Sequence, residues 1–74
     1  MFDEFDSVAL TLPLPEHGLA VGARGAVVMV HGDHAAYEVE FMRGERTIAL
    51  LTLLPQQLRL AQKFAPAHAA AVSD

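Results

Sequence analysis

Seventy-four residues, 53% of them hydrophobic, with no cysteine and a formal charge of −4, describe one small acidic domain. The absence of thiols excludes a disulfide framework and a thiolate metal centre, and the acidic balance argues against a surface built to neutralise phosphates or to meet an anionic membrane. A chain this short buries only about 60% of the surface its unfolded form exposes, so the high apolar content predicts surface covered by a second subunit or a partner.

The N-terminal run Met1-Phe2-Asp3-Glu4-Phe5-Asp6 is acidic where a secretory leader is basic, and no apolar stretch nears the roughly 18 residues of a membrane span. Both point to a cytoplasmic protein with no membrane role. Asp6 to Leu12 alternates weakly and predicts a first strand with Val8, Leu10 and Leu12 on its inner side. Pro13 and Pro15 end it, because neither can donate to a ladder. Leu14 to Arg24 reads as a long loop holding Gly18 and Gly22, and Gly25 as a turn position with positive φ.

Ala26 to His31 predicts the second strand, and His31-Gly32-Asp33-His34 a hairpin turn. Ala36 to Met42 alternates cleanly, with Tyr37, Val39 and Phe41 facing one way and Glu38 and Glu40 the other. Arg43-Gly44-Glu45 makes the next turn, and Arg46 to Leu54 the fourth strand. Pro55 to Leu58 reads as a short 3₁₀ turn, Leu58 to Ala61 as a brief fifth strand, and the alanine-rich stretch from Lys63 as a tail, frayed or helical only if docked. These elements predict an all-β fold, a small five-stranded SH3-like barrel over residues 1–62 with the tail over 63–74. An open, curved antiparallel sheet closed by a second subunit is the other arrangement they allow.

The order of blocks resembles a bacterial family known as domain of unknown function 4926. The residues that carry the likeness are Asp6-Ser7-Val8-Ala9-Leu10, Leu14-Pro15-Glu16-His17-Gly18-Leu19, Gly22-Ala23-Arg24-Gly25-Ala26-Val27-Val28, Ala36-Tyr37-Glu38-Val39-Glu40-Phe41, Leu50-Leu51-Thr52-Leu53 and Gln57-Leu58. The resemblance spans roughly residues 2–60. It implies a small SH3-like barrel, a bacterial cytoplasmic origin and an accessory or antitoxin-like binding role. It brings no activity and no catalytic residue.

Few residues point to chemistry. His31, Asp33 and His34 at a hairpin tip have side chains that suit Ni²⁺ or Zn²⁺, but a stable site needs three or four convergent ligands with support behind them, so a solvated turn is expected and no metal or other cofactor. Glu38 and Glu40 share one strand face and predict an acidic outer surface rather than an acid–base pair. Ser7 and Ser73 lack a neighbouring His or a nucleophile elbow, and Gly22-x-x-Gly25 lacks the lysine of a phosphate loop. A single Tyr and no Trp leave no aromatic groove for proline-rich peptides. A non-enzymatic role follows.

The fourth strand carries the interaction signal. Ile48, Leu50 and Leu54 face one way, Leu51 and Leu53 the other, whereas a strand of a lone small barrel needs one apolar face. The expected partner surface is therefore Leu51 and Leu53, with Glu38 and Glu40 beside it, unless Phe64 and the tail fold back over these leucines. Burying two leucines is worth roughly 3–6 kcal/mol. The loop residues Glu16, His17 and Arg24 make a second candidate surface. The function expected is a small protein-interaction module, bound to a protein partner or to a second copy. The alternative is a nucleic-acid-binding barrel, disfavoured by charge, which requires Arg24, Arg43, Arg46, Arg59 and Lys63 to converge.

Overall fold

The computed structural model describes residues 1–65, which form a five-stranded antiparallel sheet. Its strands are β1 (Ser7–Leu10), β2 (Arg24–His31), β3 (Ala36–Arg43), β4 (Arg46–Leu53) and β5 (Leu58–Gln62), in the spatial order β4-β3-β2-β1-β5. The all-β expectation holds, with no α-helix among the described residues. Most of the tail expected over 63–74 lies outside the described residues.

Alternation decides β3, which sits between β2 and β4. Tyr37, Val39 and Phe41 are buried, and the intervening Glu38 and Glu40 remain half-exposed, as a pleated strand with one wet face requires. β1, between β2 and β5, behaves differently: Val8, Ala9 and Leu10 are all fully buried. It ends at Leu10, two residues before the expected Leu12, which is 52% exposed. Thr11 instead turns to the segment before β5, its N–H donating to the Gln57 carbonyl at 2.9 Å and its hydroxyl to the Gln56 carbonyl at 2.8 Å.

The segment between β1 and β2 is tied down rather than loose. Pro15–His17 is a 3₁₀ turn, pinched at its base by the Leu14 N–H to Leu19 carbonyl bond at 2.8 Å and its reciprocal at 3.1 Å. Pro15 suits such a turn because its missing amide hydrogen is not needed there. Leu19 drops into the core, and the Gly22 amide returns to the Leu10 carbonyl at 2.9 Å. The β3–β4 connection is a two-residue turn, Gly44-Glu45, between the paired Arg43 and Arg46. Only Gly44 has positive φ, at +62°, which is the requirement of a type II′ hairpin.

Gly25 departs from expectation. It lies inside β2, paired with Val8, and has no positive φ. Its role is close approach: a Cβ built there would stand 2.7 Å from Val39 Cγ1, 2.9 Å from the Glu40 carbonyl oxygen and 3.0 Å from Phe41 Cδ2. The missing side chain lets β3 pack tightly against β2 beside a register shift between Val27 and Met29.

One apolar cluster fills the inner side: Val8, Leu10, Leu19, Val27, Tyr37, Val39, Phe41, Leu53 and Leu58. The sheet is not closed. Among the described residues β4 pairs only with β3 and β5 only with β1. Pro55, which has no amide hydrogen, opens the 3₁₀ turn Pro55–Gln57 that carries the chain from β4 across to β5. The Gln57 side chain closes that turn by accepting the Leu54 N–H at 2.8 Å.

Candidate functional site

The register of β4 assigns its two faces. Leu51 stands opposite Val39 and Leu53 opposite Tyr37, whereas Leu50 stands opposite Glu40 and Thr52 opposite Glu38. Directly opposed residues share a face. Leu51 and Leu53 therefore point into the core, Leu53 being 5% exposed and Leu51 half-buried against the cluster. The two apolar sets expected on this strand are present with their roles exchanged: the outward leucine is Leu50, 54% exposed, with Ile48 and Leu54 also exposed. Phe64 stacks edge-on against Phe5 at 5.4 Å, and the rest of the tail that would fold over Leu51 and Leu53 lies largely outside the described residues.

This exchange has a measurable consequence. Measured on the single chain at low protein concentration, Leu53→Ala is expected to destabilise the fold by about 2–5 kcal/mol as a buried cavity mutation, and Leu50→Ser to stay within about 0.5 kcal/mol as a surface change. Urea denaturation of the two variants checks it; equal midpoints would contradict the face assignment.

Glu38 and Glu40 lie on the outer face and lean toward β4. Glu38 Oε1 meets His31 Nε2 at 3.1 Å and accepts the Thr52 hydroxyl at 2.8 Å. The hydrogen bond from His31, helped by that from Thr52, holds the Glu38 carboxyl below the usual glutamate value against a smaller opposing effect of burial. Glu40 accepts the Thr47 hydroxyl. Together with Leu50 they form a mixed surface, apolar on β4 and acidic on β3.

The two edges of the sheet differ. β5 is short, with five residues, carries Arg59, and its pairing with β1 shifts register at Ser7, features that discourage further strand addition. β4 has eight residues, and from Thr47 to Leu54 no charged side chain occurs. Alternate backbone N–H and C=O groups of such an edge point away from the sheet and are available for pairing.

Of the loop candidates, the structure brings Glu16 and His17 to β4. With Leu51, Thr52, Leu53 and Gln57 they line a cleft of about 250 Å³ at the end of the strand. Arg24 lies elsewhere, beside Gly25, Ala26, Glu40 and Met42 on a shallow concavity of about 210 Å³. The hairpin-tip cluster is divided: His31 turns to Glu38, while His34 Nε2 approaches Asp3 at 3.5 Å and its Nδ1 approaches Asp33 at 3.6 Å. Among the described residues no three His, Asp or Glu side chains come together as metal ligands. The cations are also divided. Arg43 and Arg46 flank the β3–β4 turn, Arg59 lies on β5, and Lys63 is engaged by Asp3 at 2.7 Å and Asp6 at 3.0 Å.

A carboxylate cluster that joins the N-terminal segment to the chain after β5 escaped the sequence reading. Asp6 is 1% exposed, and its oxygens accept the Phe64 N–H at 2.8 Å, the Asp3 N–H at 2.9 Å and the Lys63 ammonium. The three-residue spacing of Asp3 and Asp6 is the local signal that could have found half of it, as an aspartate accepting a nearby amide. Its partners at Lys63 and Phe64 are remote in sequence and leave no such trace.

Comparison with curated proteins and with solved structures found no match. Residues 4–60 match the family described as Domain of unknown function (DUF4926), a span covering most of the strands and both 3₁₀ turns. The chain belongs to this family.

Proposed function

We propose that the protein is a small non-catalytic interaction module that binds through the open edge of β4 and the outer face beside it. The observation that carries this reading is the eight-residue edge strand, uncharged from Thr47 onward, exposing Ile48 and Leu50 and paired on one side only among the described residues. An added strand gains main-chain hydrogen bonds from such an edge and side-chain contacts from alternate residues. The connections support an SH3-like arrangement with one open seam: a long tethered loop after β1, a 3₁₀ turn before β5, and β5 returning to pair with β1. A nucleic-acid role draws less support, because Lys63 is neutralised by two aspartates and the arginines are spread over both ends of the sheet order.

The test compares tagged wild type with Leu50→Lys, expressed in the native host, cross-linked in the cell and quantified by mass spectrometry. Chains cross-linked to the wild type, whether further copies or other proteins, are expected to be lost from the variant. Identical cross-linking of the two proteins, or none with either, would refute the proposal.

A further inference from the structure

We infer that the strand accepted by the β4 edge is β4 of a second copy of this chain, paired antiparallel about a two-fold axis at Leu50. This rests on the reading of β4 as the interaction edge and names its occupant.

The first argument is register. Opposed residues of an antiparallel pair share a face, so an axis through Leu50 sets Leu50 against its own copy, Ile48 against Thr52, and Ala49 against Leu51. Each Leu50, 54% exposed in the single chain, is then covered by the other on the outer face. On the inner face Ala49 and Leu51, both already packed against the core, extend it across the seam. Residues 48–52 contain no charge and therefore place no like charges opposite each other. The bulge where Phe41 opposes Ala49 and Met42 opposes Thr47 bounds the new ladder at its other end.

The second argument is charge. Glu40 stands one strand behind Leu50, so the two Glu40 residues of a dimer are three strand spacings apart, about 14 Å. That exceeds the screening length of about 8 Å at physiological salt. The ends of β4 are complementary. It begins at the turn flanked by Arg43 and Arg46, which outweigh Glu45, and it finishes at the cleft holding Glu16. Antiparallel pairing about Leu50 carries the turn end of one copy's β4, with Arg46, toward the Leu54 end of the other, next to that cleft. The two-fold axis makes this meeting twice. It also closes the assembly at two copies, because each β4 edge is used up by the other.

Sedimentation equilibrium of the purified full chain from about 5 to about 500 µM tests the inference. Wild type is expected to approach twice the 8.0 kDa chain mass at the upper end, and Leu50→Lys to remain at the single-chain mass with an unchanged circular dichroism spectrum. Arg46→Glu and Glu16→Arg are each expected to weaken association by about 3- to 10-fold, and the double variant to recover most of the loss. A wild type that stays at the single-chain mass throughout overturns the second-copy assignment, as does a dimer indifferent to Leu50→Lys. In either case the interaction reading stands or falls separately, on whether cross-linking in the host still depends on Leu50.

Discussion

Gly25→Ala is expected to lower the stability of the fold by about 2–3 kcal/mol, at the upper end of the range for overpacking a core. A domain of this size has a total of only about 4–11 kcal/mol, and the melting temperature should fall by about 10–20 °C. The added methyl would stand 2.7 Å from Val39 Cγ1 and 2.9 Å from the Glu40 carbonyl oxygen. Neither can give way easily, because Val39 is fully buried and the carbonyl belongs to the interior strand β3. Relief by backbone movement would pull β2 from β3 where their register already shifts. Replacing a strand glycine by alanine ordinarily gains some stability through the unfolded chain, so the sign of the effect separates close approach from mere flexibility. Combining it with Val39→Ala removes the nearest contact, and the double variant should be more stable than the sum of the single losses predicts by about 1 kcal/mol. Urea midpoints at constant m-value measure all three. A Gly25→Ala midpoint at or above that of wild type would remove the argument.

The sequence carried the elements well and their environment less well. Strand positions followed from Tyr37-Glu38-Val39-Glu40-Phe41 and from the prolines and glycines between strands, because period-two burial and turn chemistry are local properties. Gly25 is illegible for the opposite reason: a glycine required by a close neighbour and one required by positive φ look alike until the neighbour is known. The β4 leucines show the same limit. Two apolar faces were visible, but which one met the core depended on pairing with β3, and Val39↔Leu51 and Tyr37↔Leu53 settle that in favour of the odd-numbered set. The site is therefore legible as a strand and not as a surface. Closure of the sheet is a further non-local property; strand number was readable, whereas whether β4 and β5 meet was not.

Asp6→Ala is expected to lose about 2–3 kcal/mol at pH 7, on the scale of hydrogen bonds to a charged group. The side chain is nearly inaccessible and joins three segments: the N-terminal turn through the Asp3 amide, the chain after β5 through the Phe64 amide, and Lys63. Asp6→Asn keeps an oxygen for one amide but loses the charge facing Lys63, and should fall between Asp6→Ala and wild type. The pH dependence follows from the same contacts. Burial pushes the Asp6 carboxyl up, but the Phe64 and Asp3 amides with Lys63 outweigh it and leave the group below its ordinary 3.8. Asp3 is held down as well, chiefly by its hydrogen bond to Lys63, and Lys63 is raised above 10.5 chiefly by Asp3. A carboxylate depressed in the folded state contributes its stability above the unfolded value and loses it as pH falls through the folded one. A raised lysine keeps its contribution below 10.5 and loses it as pH rises through the folded value. Stability should thus be level from about pH 5 to about pH 10 with respect to this cluster and decline on both sides. The gap between wild type and Asp6→Asn should begin to narrow below about pH 4 and close as pH falls through the depressed folded value, below which both carry an uncharged group at this position. Thermal denaturation of the two proteins between pH 2 and 7 reads this directly. A gap that stays constant down to pH 2 would assign the effect of Asp6 to shape alone, and one that widens would contradict the depressed carboxyl.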